Sequence, residues 1–225
     1  MRIAALLAAS LLIAGCSHQL GGHSEPASSP TQPSGQPASA PGSKASAPAS
    51  APAPGAAISA IITWIEAGHA ADPARFHIAT REGAATQLGD DIAFSSQAGK
   101  VTCTTDAKHT PGTLSCLVDL ASPPPRPDTA YGEFKGGWVD FDGVNLQVGA
   151  ARGDPGPFVN GNGPQLADGD TLSFGDYRCR ADAAGAFCVN YAHQSAARFS
   201  SAGIEPFGCL RPGPPPDGVG VAFRC

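Results

Sequence analysis

The distribution of cysteines constrains this chain most. There are seven, an odd set: Cys16 stands alone near the start, and the other six (Cys103, Cys116, Cys179, Cys188, Cys209 and Cys225) all fall from residue 103 onward. Three disulfides would use those six, which suits an oxidising compartment and a small domain stapled across its loops. The leftover Cys16 closes a short apolar segment, Ile3 to Ala14, that follows a single basic residue, Arg2. A bilayer core needs about 20 apolar residues to cross it, so this run is too short and reads as a signal segment.

Ile13-Ala14-Gly15-Cys16 reads as a lipobox: an aliphatic residue, two small residues that give a peptidase access to the backbone, then a cysteine that takes a lipid. The similarity to bacterial lipoproteins implies a diacylglyceryl thioether and an N-acyl group on Cys16. Several acyl chains, at ~0.8 kcal/mol per buried methylene, hold a protein where one chain does so only marginally. The expected organisation is a signal peptide over 1–15, a lipidated cysteine with a tether over 16–55, and a β domain over 56–225. Of the 39 residues from Ser17 to Gly55, 30 are Pro, Ser, Ala or Gly, and none after Leu20 is bulky and apolar. Such a stretch cannot offset its ordering entropy by burial and is expected to be a disordered Pro/Ala/Ser tether.

From Ala56 the composition changes. Ile58, Ile61, Ile62 and Ile65 recur at helical spacing, with Trp64 beside the stripe and Gly68 as a stop, predicting one short helix packed on a domain. Beyond it short apolar runs alternate with turn residues. Phe76 to Thr80, Ile92 with Phe94, Val101 to Thr104, Leu114 to Leu120, Trp138 to Phe141, Val144 to Val148, Thr171 to Phe174, Tyr177 to Arg180 and Ala186 to Tyr191 all read as strands. Asp142-Gly143 is a type I′ hairpin signal. The expected fold is mainly β, a disulfide-stapled sandwich or partly open barrel after one N-terminal helix.

Two segments echo each other. Phe94 precedes Cys103-x-x-Asp106 and then Cys116, and Phe174 precedes Cys179-x-x-Asp182 and then Cys188. Two hairpins with a cysteine on each arm would bring each pair within disulfide reach, at ~4.5–5.5 Å between opposed residues. That selects Cys103–Cys116, Cys179–Cys188 and, by elimination, Cys209–Cys225 from the roughly 15 pairings six cysteines allow.

The same residues carry a family resemblance. Phe94-Ser95-Ser96 with Cys103, Gly169 with Leu172 and Phe174, and Tyr177-Arg178-Cys179-Arg180-Ala181-Asp182 with Gly185 and Cys188-Val189-Asn190 resemble an actinobacterial group of secreted and lipoprotein domains. Phe199-Ser200 matches that group's aromatic–serine pair, while the residues between Asn190 and Phe199 depart from its glycine-rich stretch. Gly137 to Gly143 and Arg152 to Phe158 are similar to the LppI-like group of mycobacterial lipoproteins. The resemblance runs from about Ile58 to Cys225. It implies an address on the outer, extracytoplasmic face of the cell membrane, held through the lipid on Cys16, and brings no activity with it.

Few residues point to chemistry. His69, His77, His109 and His193 show no H-x-x-x-H or H-E-x-x-H spacing, and Asp140-x-Asp142-Gly143 lacks the remaining ligands of a calcium loop, so neither a metal nor another cofactor is expected. No G-x-S-x-G or S-x-x-K occurs. His193 with Ser195, Asp90-Asp91, and Asp168 with Asp170 read as turn and loop residues, and Arg152-Gly153-Asp154 as an anion-pairing turn. A net charge of -5, with basic residues never clustered beside aromatics, excludes nucleic acid as a partner. Tyr131, Phe134, Trp138 and Phe141 are expected to serve as sandwich core, the alternative being an aromatic platform for sugar or lipid. Trp138 and Tyr131 are the candidate binding residues, with Trp138 the expected exception to burial. The expected function is therefore a lipid-anchored, non-enzymatic binding or structural module with a cell-wall or envelope partner. The alternative is an envelope hydrolase with an unrecognised active site around His193 and nearby acids.

Overall fold

The computed structural model describes residues 50–225. The expected leader, Cys16 and nearly all of the tether lie outside them. The first described element is helix α1, Ile58–Glu66. It has no side-chain cap, no acidic first turn and no basic last turn, so little of its stability is its own. Its buried face is Ile61, Trp64 and Ile65. That face is turned from the isoleucine stripe toward Trp64, whose indole has the largest area to bury, and Ile62 is left at the flank. Gly68 ends the helix for a packing reason: a Cβ there would stand 2.5 Å from Thr171 Cγ2 and 2.7 Å from the Gly169 carbonyl.

The expected strand from Phe76 starts two residues later. Asp72 accepts a hydrogen bond from the Ala74 amide and, with Pro73, nucleates a 3-10 turn, Pro73–Phe76. That turn carries Phe76 into the core, and strand begins at Ile78. The short strand β1, His69–Ala70, precedes this turn. A hairpin of β2, Ile78–Arg81, and β3, Ala84–Gln87, follows it, of which β3 was not foreseen. Then come β4 Ala93–Ser96, β5 Val101–Thr105, β6 Leu114–Val118, β7 Phe134–Phe141 and β8 Asn145–Ala151. The C-terminal part supplies β9 Asp170–Phe174, β10 Tyr177–Asp182, β11 Gly185–Asn190, β12 Ser195–Ser200, β13 Gly203–Gly208, β14 Arg211–Gly213 and β15 Val219–Arg224.

These strands form two main sheets that do not close into a barrel. One has six strands in the order β1-β9-β10-β11-β12-β13, the other seven in the order β14-β15-β8-β7-β6-β5-β4. Their inner faces share one core, in which Phe94, Val139, Phe141 and Leu146 of the larger sheet meet Leu172, Ala181, Ala197 and Phe199 of the smaller. Helix α1 covers the other side of the six-stranded sheet, where Ile61, Trp64 and Ile65 pack with Phe187, Val189, Ala196 and Phe207. The Trp64 indole meets Phe187 edge-on at 4.8 Å, and Arg180 lies 4.0 Å over the indole while donating to the Trp64 carbonyl. The layers are therefore helix, six-stranded sheet, seven-stranded sheet.

The disulfides pair as the hairpin argument expects. Cys103 and Cys116 are opposed across β5 and β6, and Cys179 and Cys188 across β10 and β11. Both pairs are fully buried in the inter-sheet core, so the sequence echo marks one stapled hairpin in each sheet. Cys209–Cys225 differs: it is exposed, and it ties the chain just past β13 to the chain just past β15, linking the two sheets. The Asp142-Gly143 hairpin is a correction of type. Only Gly143, at φ 89°, is left-handed, and Asp142 Oδ1 accepts from the Val144 and Asn145 amides. A loop with positive φ at its first central residue alone is of the II′ kind, because I′ needs it at both.

Trp64→Ala should test the helix layer. Removing a fully buried indole costs about 3–5 kcal/mol. The expected result is a lower urea midpoint with the β circular-dichroism signal retained below it, and a smaller loss for Ile62→Ala.

Candidate binding cleft at the loop end of the sandwich

At one end of the two sheets, turns from several separate segments enclose a cavity of about 450 Å³. Its lining comes from the turn before β4 (Asp90, Asp91), the β5–β6 loop (Thr110 to Thr113) and the β7–β8 hairpin (Asp142). The β9–β10 hairpin (Phe174 to Tyr177) and the end of β11 with its following loop (Asn190, His193) complete it. Tyr177 holds this end together. Its hydroxyl lies 2.8 Å from both the Gly112 and Phe141 carbonyls, bridging loops of the larger sheet from a strand of the smaller. Its ring meets Phe141 edge-on at 5.7 Å and stacks on Phe174 at 5.6 Å. Burial pushes the Tyr177 phenol well above its ordinary value, and the Asp142 and Asp176 carboxylates push it the same way.

The surrounding polar groups divide into two sets. Asp91 Oδ1 accepts from the Thr105 hydroxyl at 2.9 Å and the Ala107 amide at 2.8 Å, and Asp142 caps its own hairpin, so both carboxylates are committed. Asn190 Oδ1 accepts from the His193 amide. The hairpin tip closes against this loop so tightly that a Cβ on Gly143 would stand 2.6 Å from Asn190 Cγ and from His193 Cδ2. Behind that contact the Cys209–Cys225 bridge backs the wall, with Cys209 Sγ 3.6 Å from the His193 carbonyl and Cys225 Sγ 3.7 Å from that of Gly143. The exposed carboxylates of Asp90 and Asp176 have no hydrogen bond or ion pair among the described residues.

A second, shallower hollow of about 660 Å³ lies on the far side of the β5–β6 loop and shares Asp91, Thr105 and Thr110 with the first. The loop between them is held by Asp106, which accepts from His109 Nδ1 at 2.7 Å. Burial would raise the Asp106 carboxyl, but hydrogen bonds from His109 and the attraction of its charge outweigh that and hold it below the ordinary range. Arg152 pairs with Asp140 at 3.2 Å, and Asp154 caps Gly156, so Arg152-Gly153-Asp154 is satisfied within the protein.

The four aromatic residues do not assemble a platform, and Phe141 and Trp138 are buried as core. Trp138 and Phe141 are three residues apart on one strand, and the period of two puts them on opposite faces of the sheet. Phe141 faces the inter-sheet core. Trp138, the expected exception to burial, is only 1% exposed: Phe158 meets it edge-on at 5.2 Å and Arg152 lies 4.8 Å over its ring. Tyr131, 96% exposed, is the one member left open to solvent. Ser195 is fully buried and donates its hydroxyl to the Gly143 carbonyl, so it does not pair with the exposed His193 as a nucleophile. Among the described residues no three His, Cys, Asp or Glu side chains converge as metal ligands.

Sequence reasoning read Asp90 and Asp142 as turn residues, offered His193 with nearby acids as the alternative hydrolase site, placed Asn190 in a strand and gave Asp176 no role. No spacing rule could have joined them, because four separate turn segments bring them together. No family model, curated protein or solved structure matches the chain.

The Tyr177 environment has a pH signature. A phenol raised in the folded state holds its proton more tightly there than in the unfolded chain. Its contribution is therefore complete below about pH 10 and is lost as pH rises further. Tyr177→Phe should lose about 1 kcal/mol at neutral pH with the hydroxyl's bonds, yet show a flatter decline in stability from about pH 10 upward. Denaturation midpoints measured across that range would show it, and parallel declines in both proteins would contradict it.

Proposed function

We propose that this chain is a lipid-anchored protein of the outer face of the cell membrane, whose β domain is a non-enzymatic binding module for an envelope or cell-wall component. The observation that carries the reading is the cysteine inventory: six cysteines of the β domain form three disulfides, as an oxidising extracytoplasmic compartment allows, and Cys16 is the one left over. No described helix is long and apolar enough to cross a membrane, so attachment would depend on the lipid on Cys16. The resemblance to the LppI-like lipoproteins supports the same address. The cleft supports the binding role, since a concave site of preorganised loops on a rigid scaffold is where small ligands are taken up.

A hydrolase remains the second reading because the cleft does gather His193 with Asp90, Asp142 and Asp176 in one lining. With Ser195 buried, such an enzyme would have to activate water rather than a serine.

Metabolic labelling with an alkyne fatty acid should tag the wild-type chain and not Cys16→Ala, which should leave the membrane fraction. Equal labelling of both would remove the anchor. Hydrolysis of envelope material by the wild type, abolished in His193→Ala, would replace the binding role by the enzymatic one.

A further inference from the structure

The three disulfides are not equivalent as chemical targets. Cys103, Cys116, Cys179 and Cys188, which form the two hairpin bridges, are all 0% exposed in the inter-sheet core. Cys209 and Cys225 are both exposed and belong to neither apolar cluster. Thiol–disulfide exchange begins when a thiolate reaches one of the two sulfurs, so access decides which bridge can react in the folded protein. The core bridges become accessible only when a sheet opens, and the opening of core strands costs a free energy close to that of global unfolding. The Cys209–Cys225 bridge needs no such opening.

Its position gives the reaction a consequence. Cys209 follows β13, at one edge of the six-stranded sheet, and Cys225 follows β15 of the seven-stranded sheet. Each half of the bridge also backs a different wall of the loop-end cleft. Cys225 donates its amide to the Val144 carbonyl at 2.9 Å, and its Sγ lies 3.7 Å from the Gly143 carbonyl, so it supports the β7–β8 hairpin tip. Cys209 Sγ lies 3.6 Å from the His193 carbonyl, so it supports the loop after β11. The bridge is thus a covalent staple between the two walls that meet where Gly143 presses on Asn190 and His193. With the bridge open, those walls would keep the Ser195 hydroxyl on the Gly143 carbonyl and their own packing. The chain beyond Cys209 would keep the three-residue pairing of β14 with β15. The core clusters and both buried bridges contain neither sulfur, so the fold does not depend on this one.

We propose that Cys209–Cys225 is a thiol–disulfide exchange site, opened by a dithiol reductant while the core bridges stay closed, and that its opening uncouples the two walls of the cleft. One thiolate of the reductant attacks a bridge sulfur, forming a mixed disulfide and releasing the other cysteine as a thiolate. The second thiol of the reductant then displaces the first cysteine and closes the reductant's own disulfide. Two electrons and two protons pass from the dithiol to the cysteine pair, and exchange with an oxidised dithiol runs the same steps backward. The inference goes beyond the binding-module reading and stands or falls without it, because it does not depend on what the cleft takes up.

The full chain in detergent tests it. Free thiols are blocked with N-ethylmaleimide, graded dithiothreitol is added near pH 8 without denaturant, and newly released thiols are alkylated with iodoacetamide and mapped by mass spectrometry. Cys209 and Cys225 should be labelled at least about tenfold faster than any core cysteine, with the β circular-dichroism signal retained. In the selectively opened protein, hydrogen exchange should rise about tenfold or more at the Cys225 and His193 amides and stay unchanged along β10. A Cys209→Ser/Cys225→Ser double variant should show the same exchange pattern without reductant. The labelling needs no variant, so a double variant that fails to fold leaves the wild-type result decisive. The proposal is overturned if the three bridges open at one rate, if a core bridge opens first, or if exchange at Cys225 and His193 is the same open and closed.

Discussion

In β11 every side chain from Gly185 to Asn190 is buried, although a strand turns alternate residues to opposite faces. The six-stranded sheet is thus apolar on both sides and must be covered on both. The seven-stranded sheet covers one side and supplies the main core. The other would expose Phe187, Val189 and Phe207 were it not for α1, a nine-residue helix with little stability of its own. Trp64 does most of this covering, helped by Arg180, which stacks on the indole and bonds the helix backbone. Its neighbours on β10 show the ordinary alternation, with Tyr177, Cys179 and Ala181 buried and Arg178, Arg180 and Asp182 half-buried. One sheet therefore sets the helix's position, the three-layer order and the burial of both core disulfides.

That arrangement leaves the ends of the sandwich for other work. At the loop end the two sheets are drawn together by Tyr177, by the hairpin tip at Gly143 pressed on Asn190 and His193, and by the exposed Cys209–Cys225 bridge. One tie is a hydrogen-bonded phenol, one is close packing and one is a covalent bridge, so the cleft walls are set before any ligand arrives. What the ties leave over is two open carboxylates and an aromatic ring. The same division explains why the tempting motifs carry no chemistry. Asp142 is spent on its hairpin, Ser195 on the Gly143 carbonyl, and Arg152 and Asp154 on Asp140 and Gly156.

Much was legible in the chain by itself. The mainly β class, the single N-terminal helix and the pairing of Cys103 with Cys116 and of Cys179 with Cys188 are local properties. Period-two alternation, turn residues and a cysteine on each arm of a hairpin all act within about 20 residues, the span over which hairpin geometry holds. The Cys209–Cys225 pair followed by elimination rather than from any signal of its own, because it joins strands of different sheets. The address suggested by Cys16 is also a sequence matter, residing in a short local segment.

Only the tertiary structure decided which aromatic residues face solvent and where a site could be. Trp138 and Tyr131 are equally aromatic neighbours of glycines; one lies beneath Phe158 and Arg152 and the other stands open, because the irregular segment after β8 folds back over Trp138 alone. Phe76 and Trp64 likewise took their places from what they cover rather than from the pattern around them. The cleft is the extreme case. Asp90, Asp176, Asn190 and His193 become neighbours only when the two sheets stack and bring separate turns to one end. Spacing along a chain records the geometry of single helices and hairpins, and a site built between two sheets has no spacing to record.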